Sequence, residues 1–512
     1  MNLGASKTTK GDFKQYQSKN LPGLIHNQEF AHSVDQLNSS EFGAKWLTWA
    51  LQVTQAIPET IKVEELVEVE DISKKVGGGA ADKALLEVRY SDPTFDQAPT
   101  RFFVKLPCCD IKDKWRAAAL DSAGPEVMFS HLFCSPTCEQ IAQDFPMKTA
   151  KVYFCDINPK STNFILIQEF LNYGDGTQGS LLPAPEKCKN YLLEGGPGPY
   201  YQSLLNAGGE LCGWHQAIKD TELGARIAEG FPNKAIKQKM PKHLRGLQRF
   251  LIYWAGRSLM YFSMNFIKNA CPQLCPEDCL TQESLSTFQK EYQEVLYHFP
   301  EVMDDIMEKG RTKYFAYGHP NLDVDNAFFV KDDHGQLKCG GIDFGGYQGG
   351  NMLFFLSGSL GTADDQHFCK DEKKLIATFA KAYNQHAPKS IDAQALLNDW
   401  KIFAILPTFI SSFMSILAAK KISWRTLKQV KTPQDPVFAN NFEGRCFTQL
   451  TISGFVRWKH AYTFDAFKQW QKNHRKKGIS RGLSWYLIYK PLHPIHALVM
   501  HSILWIYRIT KR

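Results

Sequence analysis

Residues 317–326, Tyr-Gly-His-Pro-Asn-Leu-Asp-Val-Asp-Asn, followed at 341–345 by Gly-Ile-Asp-Phe-Gly, constrain this chain more than any other stretch. A loop carrying His319 and Asn326, leading to a strand that ends at Asp343, brings an amide oxygen and a carboxylate toward one point. Hard divalent cations such as magnesium take oxygen ligands of this kind. His319 is expected to act by hydrogen-bonding and fixing the loop backbone. Asn321 stands two residues after it, and Asp323 and Asp325 lie on the same loop.

The segments upstream supply what such a site would need. Val63, Leu66, Val67, Val69 and Ile72 give a first strand, which runs into the turn Gly77-Gly78-Gly79. Further strands are expected at 84–90 and, beyond Pro93 and Pro99, at 101–106. A helix fits 124–133, with Val127, Met128 and Leu132 on one face, and strands follow at 150–156 and 163–170. Lys105 sits among Phe102, Phe103, Val104 and Leu106, where a lone cation needs a partner or a cleft. Glu126 on the following helix can be that partner, leaving Lys105 to hold the phosphates of a nucleotide. The three glycines can approach phosphates closely, although such a triplet serves equally well as a hairpin turn.

Gly- and Pro-rich residues 174–199 form the crossing into a second, mostly helical part. Helices are expected over 209–219, where Leu211, Trp214, His215 and Ile218 share a face, and over 285–309, ahead of a strand at 312–317. Residues 402–419 carry no charge, which reaches the lower limit for a membrane span, but Pro407, Thr408, Ser411, Ser412 and Ser415 interrupt them, so a buried helix of the larger lobe is favoured over a spanning one. At 44% hydrophobic and 22% charged residues, the 512-residue chain is folded and long enough for two lobes. The segmentation expected is an N-terminal arm at 1–60, a smaller lobe at 61–172, a larger lobe at 173–455 and a basic, aromatic extension at 456–512.

In this order, the glycine turn, Lys105, Glu126, His319, Asn326 and Asp343 resemble the aminoglycoside phosphotransferase and choline-kinase-like superfamily, including its ecdysteroid-kinase-like branch. That family's loop reads His-Gly-Asp-x4-Asn and its metal segment Ile-Asp-Phe or Ile-Asp-Trp. Leu211-Cys212-Gly213-Trp214-His215 is similar to the family's Leu-x-x-Leu-His helix beneath the nucleotide site. The resemblance covers roughly Val63 to Leu360. It implies an α+β, bilobal, protein-kinase-like fold: an antiparallel N-lobe sheet with one helix, a mostly helical C-lobe and a C-terminal helical extension. It further implies ATP and Mg2+ as cofactors, a hinge for adenine at Gln168, Glu169, Phe170 and Leu171, and a small molecule with a hydroxyl as the phosphoryl acceptor.

The departure is at Asn321, which aligns with the family's catalytic Asp. An amide cannot take the hydroxyl proton, although it can accept a hydrogen bond from it. Asp323 and Asp325 are the substitutes within reach on the loop. Two functions follow: a phosphotransferase with an atypical Asn, or a nucleotide-binding pseudokinase acting as a scaffold or regulatory module.

Charge adds a further expectation. From Val456 onward, twelve Lys and Arg face one acid, Asp465, within an overall net charge of +8, so everything before Val456 is slightly acidic. Trp458, Trp470 and Trp485 interleave with these cations. This composition fits an exposed basic helix, with peripheral membrane contact ahead of base stacking; nucleic acid is not expected as a partner. Residues 495–507 are apolar, but at about 20 Å of helix they are too short to cross a bilayer. No secretory leader is visible in residues 1–20 and the thirteen cysteines are scattered, so the expected location is cytoplasmic, with membrane contact at the periphery. Cys271, Cys275 and Cys279 recur every four residues, which raises a metal. Pro272 and Pro276 break any helix that would align them and no His is close in sequence, so they read as ordinary loop or buried thiols.

Overall fold

The computed structural model describes residues 10–73, 81–120, 123–135, 144–174, 180–233, 245–363, 365–475, 489 and 492–500. Gly77, Gly78, Gly79 and Trp485 lie outside the described residues.

Period-two burial builds the smaller lobe. On β2 (Ala81–Tyr90), Ala84, Leu86, Val88 and Tyr90 are buried; on β3 (Arg101–Pro107), Phe102, Val104 and Leu106 are buried. Both strands therefore turn one face to a core, and the opposite face of β3 presents Phe103 and Lys105 to a cleft. With β1 (Val63–Asp71), β5 (Val152–Ile157) and β6 (Phe164–Glu169) they form an antiparallel five-stranded sheet in the order β1-β2-β3-β6-β5. A two-residue strand, β4 (Lys148–Thr149), pairs instead with the larger lobe.

The segment expected as an N-terminal arm packs into this core. Helix α1 (Ala44–Val53) and the chain before it place Phe30, Leu37, Phe42, Trp46, Leu47 and Leu51 in one cluster with the sheet's buried face. Asp156, fully buried at the end of β5, accepts hydrogen bonds from the backbone amides of Ile25 (2.9 Å) and His26 (3.0 Å), which fastens the segment. A side chain at Gly23 would collide with that carboxylate. The sequence of the segment is polar on average; its few apolar residues suffice because the sheet supplies the other half of the contact.

Helix α2 (Ala123–Phe129) continues into a π-helical turn at Ser130–Cys134. Such turns, rare in helices, recur at functional sites. The larger lobe is helical. Its helices include α3 (Pro197–Ile218), α4 (Arg245–Ala270), α5 (Glu277–Leu280), α6 (Gln282–Thr312), α7 (Met352–Leu360), α8 (Asp365–His386), α9 (Ala393–Phe403), α10 (Ile405–Lys421), α11 (Phe442–His460) and α12 (Thr463–Arg475). Short strands β7 (Phe315–Gly318), β8 (Ala327–Lys331), β9 (Leu337–Gly341) and β10 (Gln348–Asn351) frame the loops at the cleft, paired β4-β9-β8 and β10-β7. This is the expected α+β, bilobal, protein-kinase-like architecture, a sheet lobe facing a helical lobe; the sheet lobe holds Ala44–Val53 and Ile111–Leu120 besides α2, where one helix was expected. Helix α6 runs three residues past the expected 309 and takes the start of the strand expected at 312, which begins at Phe315. The uncharged run 402–419 lies within α9 and α10, and α10 packs between α4 and α11. Among the described residues, Ala393–Lys421 is the one helical stretch long and apolar enough to cross a membrane, and half of its apolar window is buried.

The expected boundary at 456 falls inside α11. Trp458 and Trp470, expected on an exposed basic helix, are 3% and 4% exposed, and their indoles donate to Glu291 (2.8 Å) and Asp305 (3.1 Å) of α6. Lys468 pairs with Glu294 on the same helix (2.9 Å), and Arg457 pairs with Asp365 (2.8 Å). Arg457, Trp458, Lys468 and Trp470 thus answer acids of α6 and α8. Neither Trp has a free face for a headgroup or a base.

Candidate active site

Lys105 leaves β3 and stands between two carboxylates from different lobes, 2.5 Å from Glu126 Oε1 and 3.0 Å from Asp343 Oδ1. Aromatic packing sets this geometry. Phe344, next to Asp343, stacks flat on Phe129 of α2 with ring centroids 3.7 Å apart. Phe129 lies one turn beyond Glu126, so the stack ties α2 to the Asp343 loop and directs Glu126 onto the lysine. Burial alone would depress the Lys105 ammonium, but Asp343 and Glu126 outweigh it and hold its pKa above the ordinary value. The charge of Lys105 in turn holds Asp343 below the usual carboxylate range. Burial pushes Glu126 upward against the pull of Lys105.

Asp343 itself sits in the left-handed backbone region (φ 61°, ψ 52°). A non-glycine residue held there costs about 1–3 kcal/mol and persists where its surroundings over-determine it. His319 is one of the determinants. Its Nε2 donates to the carbonyl of Ile342 (3.1 Å), its Nδ1 accepts from the amide of Asn321 (3.1 Å), and its ring rests on Phe344. Burial lowers its pKa, which suits the neutral ring that this donor–acceptor pair requires.

Asn326 spends its Nδ2 on the carbonyl of Asn321 (2.9 Å), which leaves its oxygen as the atom a cation can use. The amide of Ile342 donates to the Asn326 carbonyl (2.9 Å), so the loop and the Asp343 segment are stitched directly. Asn326 and Asp343 line one cavity of about 1450 Å³ together with Lys105, Glu126, His319 and Asn321. An amide oxygen and a half-exposed carboxylate in one cavity fit a magnesium ion by donor chemistry. Gln168, Glu169, Phe170 and Leu171 line the same cavity where β6 leaves the sheet.

The loop differs from expectation at Asp323. The expected substitute proton acceptor is 1% exposed; its two oxygens accept from Thr362 Oγ1 (2.8 and 2.7 Å) and one also accepts from the amide of Val324 (2.7 Å). Its carboxylate is engaged in holding the loop. Asp325, by contrast, is half-buried and borders the cavity.

Two lysines at the site were not found from sequence. Lys187 lies 3.2 Å from Asp325, 3.4 Å from Asn321 Oδ1 and 3.6 Å from Asp323. Burial opposes its charge, but Asp323 and Asp325 more than compensate and raise its pKa, so it remains an ammonium. It comes from the Gly- and Pro-rich crossing, where no pattern marks a functional residue. Lys83 is registered directly across from Lys105 in the β2–β3 pair and borders the same cavity. That signal was legible: a strand expected only from residue 84 missed the cation one position earlier.

Beyond the loop the cavity widens into a chamber of the larger lobe, with Trp400, Pro407, Ile410, Met414, Phe447 and Leu450 on its walls. The chamber borders the His319–Asn326 loop because Gly358 of α7 lets the helix approach; a side chain there would strike the carbonyl of Pro320.

No protein-family model matches this sequence, and no curated protein matches it. Among solved structures, the chain is similar to the GDP complex of wild-type aminoglycoside 2'-phosphotransferase-IIIa, at 13% identity and a TM-score of 0.38, covering 78% of this chain and 100% of that one. It is also similar to a microcompartment-associated aminopropanol kinase at 10% identity and a TM-score of 0.35, covering 82% and 99%. An aminoglycoside phosphotransferase from Streptomyces rimosus in complex with ADP and streptomycin matches at 10% identity and a TM-score of 0.28, covering 65% and 95%. At these scores the overlap is too loose to bear on the chemistry of this chain, which rests on its own residues.

Proposed function

We propose that the protein is an ATP-dependent phosphotransferase that moves the γ-phosphoryl group to a hydroxyl of a small molecule. The observation that carries this reading is Lys105 bridging Glu126 and Asp343 across the two lobes. Mg-ATP, when bound, supplies the phosphoryl group and the cation that offsets its charge. Asp343 and Asn326 would hold the cation, Lys105 would engage the phosphates, and Gln168 to Leu171 would border the base. His319 keeps the loop in register. Lys187, permanently charged beside Asn321, neutralises charge on the transferring group, and Asn321 orients the acceptor hydroxyl. Asp325 is the carboxylate nearest to taking its proton. The apolar chamber favours an acceptor with a substantial hydrocarbon body over a highly charged one.

Incubation with labelled ATP, magnesium and a metabolite extract is expected to yield a labelled product, and Asp343→Ala is expected to abolish it. Unchanged transfer in that variant would assign the activity to another site. Asn321 favours a second reading, a pseudokinase that binds nucleotide as a regulated module. That reading gains if ATP raises the melting temperature while no acceptor is ever labelled. Peripheral membrane contact is supported by residues 492–500, where Ile495, Leu498 and Val499 are exposed; Leu498→Asp should reduce flotation on anionic liposomes.

A further inference from the structure

The fold supplies the histidine whose absence from the neighbouring sequence argued against a metal at the cysteine run. His460, the last residue of α11, reaches the α5 turn from 181 residues away, with Nε2 3.7 Å from Cys279 Sγ. The same nitrogen is 3.1 Å from Asp278 Oδ2. One ligand atom from each of Asp278, Cys279 and His460 falls within 4.8 Å of the others. Pro276 does not exclude Cys275 from the group. It caps α5, so Cys275 precedes the helix and Cys279 lies within it. Cys275 Sγ is not one of the atoms that fall within 4.8 Å of one another, and it would join as the fourth ligand by rotating its side chain.

We infer that Cys275, Cys279, His460 and Asp278 form a structural site for a thiophilic divalent cation, zinc above all. The two distances to His460 agree with a tetrahedral zinc ion. Zn–S and Zn–N bonds of about 2.3 and 2.0 Å at the tetrahedral angle separate sulfur from nitrogen by about 3.5 Å, and nitrogen from a carboxylate oxygen by about 3.4 Å. The observed 3.7 and 3.1 Å bracket those values. The spacing Cys-x3-Cys is a common zinc half-site. Cys275 and Cys279 are 6% and 4% exposed, as a closed structural site requires, while Asp278 and His460 lie toward solvent and give the ion entry. Two thiolates and a carboxylate leave one negative charge around a divalent ion, and Lys459 stands 2.7 Å from Asp278 to balance it. The site clips the turn between α4 and α6 to the end of α11, whose earlier residues Phe447 and Leu450 wall the chamber.

The test uses the full chain, stripped with a chelator and a thiol reductant, reloaded with zinc or cobalt(II), and passed through a desalting column. One equivalent of zinc is expected to remain and to be released by a mercurial that blocks thiols. The cobalt form is expected to show visible bands of a tetrahedral ion with a thiolate charge-transfer band. Cys279→Ser and Cys275→Ser should each abolish retention. His460→Gln, at a partly exposed ring that need not disturb folding, should weaken it at least about 10-fold. Asp343→Ala should retain the ion in full, which separates this site from the cleft and from the fate of the phosphotransfer reading. Wild-type protein that keeps no zinc, cobalt bound without the charge-transfer band, or undiminished retention in a folded His460→Gln variant would overturn the assignment.

Discussion

In the proposed reading the cleft has a nucleotide half and an acceptor half, and they are built differently. On the nucleotide half, Lys105, Glu126 and Asp343 come from three separate elements and satisfy one another, and two aromatic rings lock the arrangement. On the acceptor half, the position of a proton acceptor holds an amide, Asp323 is committed to the loop, and the cation comes from outside the loop as Lys187. The nucleotide half thus carries redundancy in charge and packing, whereas the acceptor half depends on a single lysine and on the walls of an apolar chamber. Binding and turnover should therefore respond to different substitutions.

The largest effect is expected from Asp343→Ala, which should reduce turnover by at least about 10²-fold and erase the magnesium-dependent thermal shift with ATP. Lys105→Met should approach it. Because the two side chains touch, their effects should not add, and a double-mutant cycle on turnover should return a coupling of about 1–3 kcal/mol. Additive losses would break the picture of a single linked unit.

Substitutions on the acceptor half should leave the thermal shift with Mg-ATP near its wild-type size. Lys187→Ala is expected to lower kcat by about 10- to 100-fold with little change in the KM for ATP. Asn321→Asp restores a carboxylate beside Lys187, and general-base assistance of about 10²–10⁴-fold sets the upper limit of the gain. A rise in kcat would show that the amide had limited the chemistry. A fall would mean that Asn321 acts by positioning and that Asp325 already takes the proton.

The same contrast explains what was legible in the sequence. Lys105, Glu126, His319, Asn326 and Asp343 each sit at a distinctive place in a strand, helix or turn, so their meeting in one cavity was legible from the order of those elements and the resemblance it carries. Lys187 has no such setting, since its loop is shaped by contacts with Asn321, Asp323 and Asp325 more than a hundred residues away. Asp323 misled because sequence gives its chemistry but not Thr362, the hydroxyl that engages it. Residues 30–57 and the tail at 457–475 misled for a related reason. A polar average or a basic run looks solvent-facing until the opposing surface, here the sheet or the acids of α6, is known.

The smallest expected effect is a pH response that separates the fold from the nucleotide half. His215 on α3 is buried against Tyr317, its Nδ1 has no hydrogen-bond partner, and burial lowers its pKa from 6.5 to about 4. His319 is lowered in the same direction. The unfolded chain therefore binds protons that the folded chain refuses, and stability present above about pH 6.5 is lost as pH falls toward 4. For His215 alone the loss between pH 7.5 and 5.5 is about 1 kcal/mol, measurable as a lower urea midpoint, and His215→Phe should flatten it. Asp343, held below the usual range by Lys105, keeps its charge throughout this interval. The stabilisation conferred by Mg-ATP should then persist at pH 5.5 even as the unliganded protein weakens. If ligand stabilisation and intrinsic stability fell together, the loop at His319, shared by both halves, would be the element that fails first.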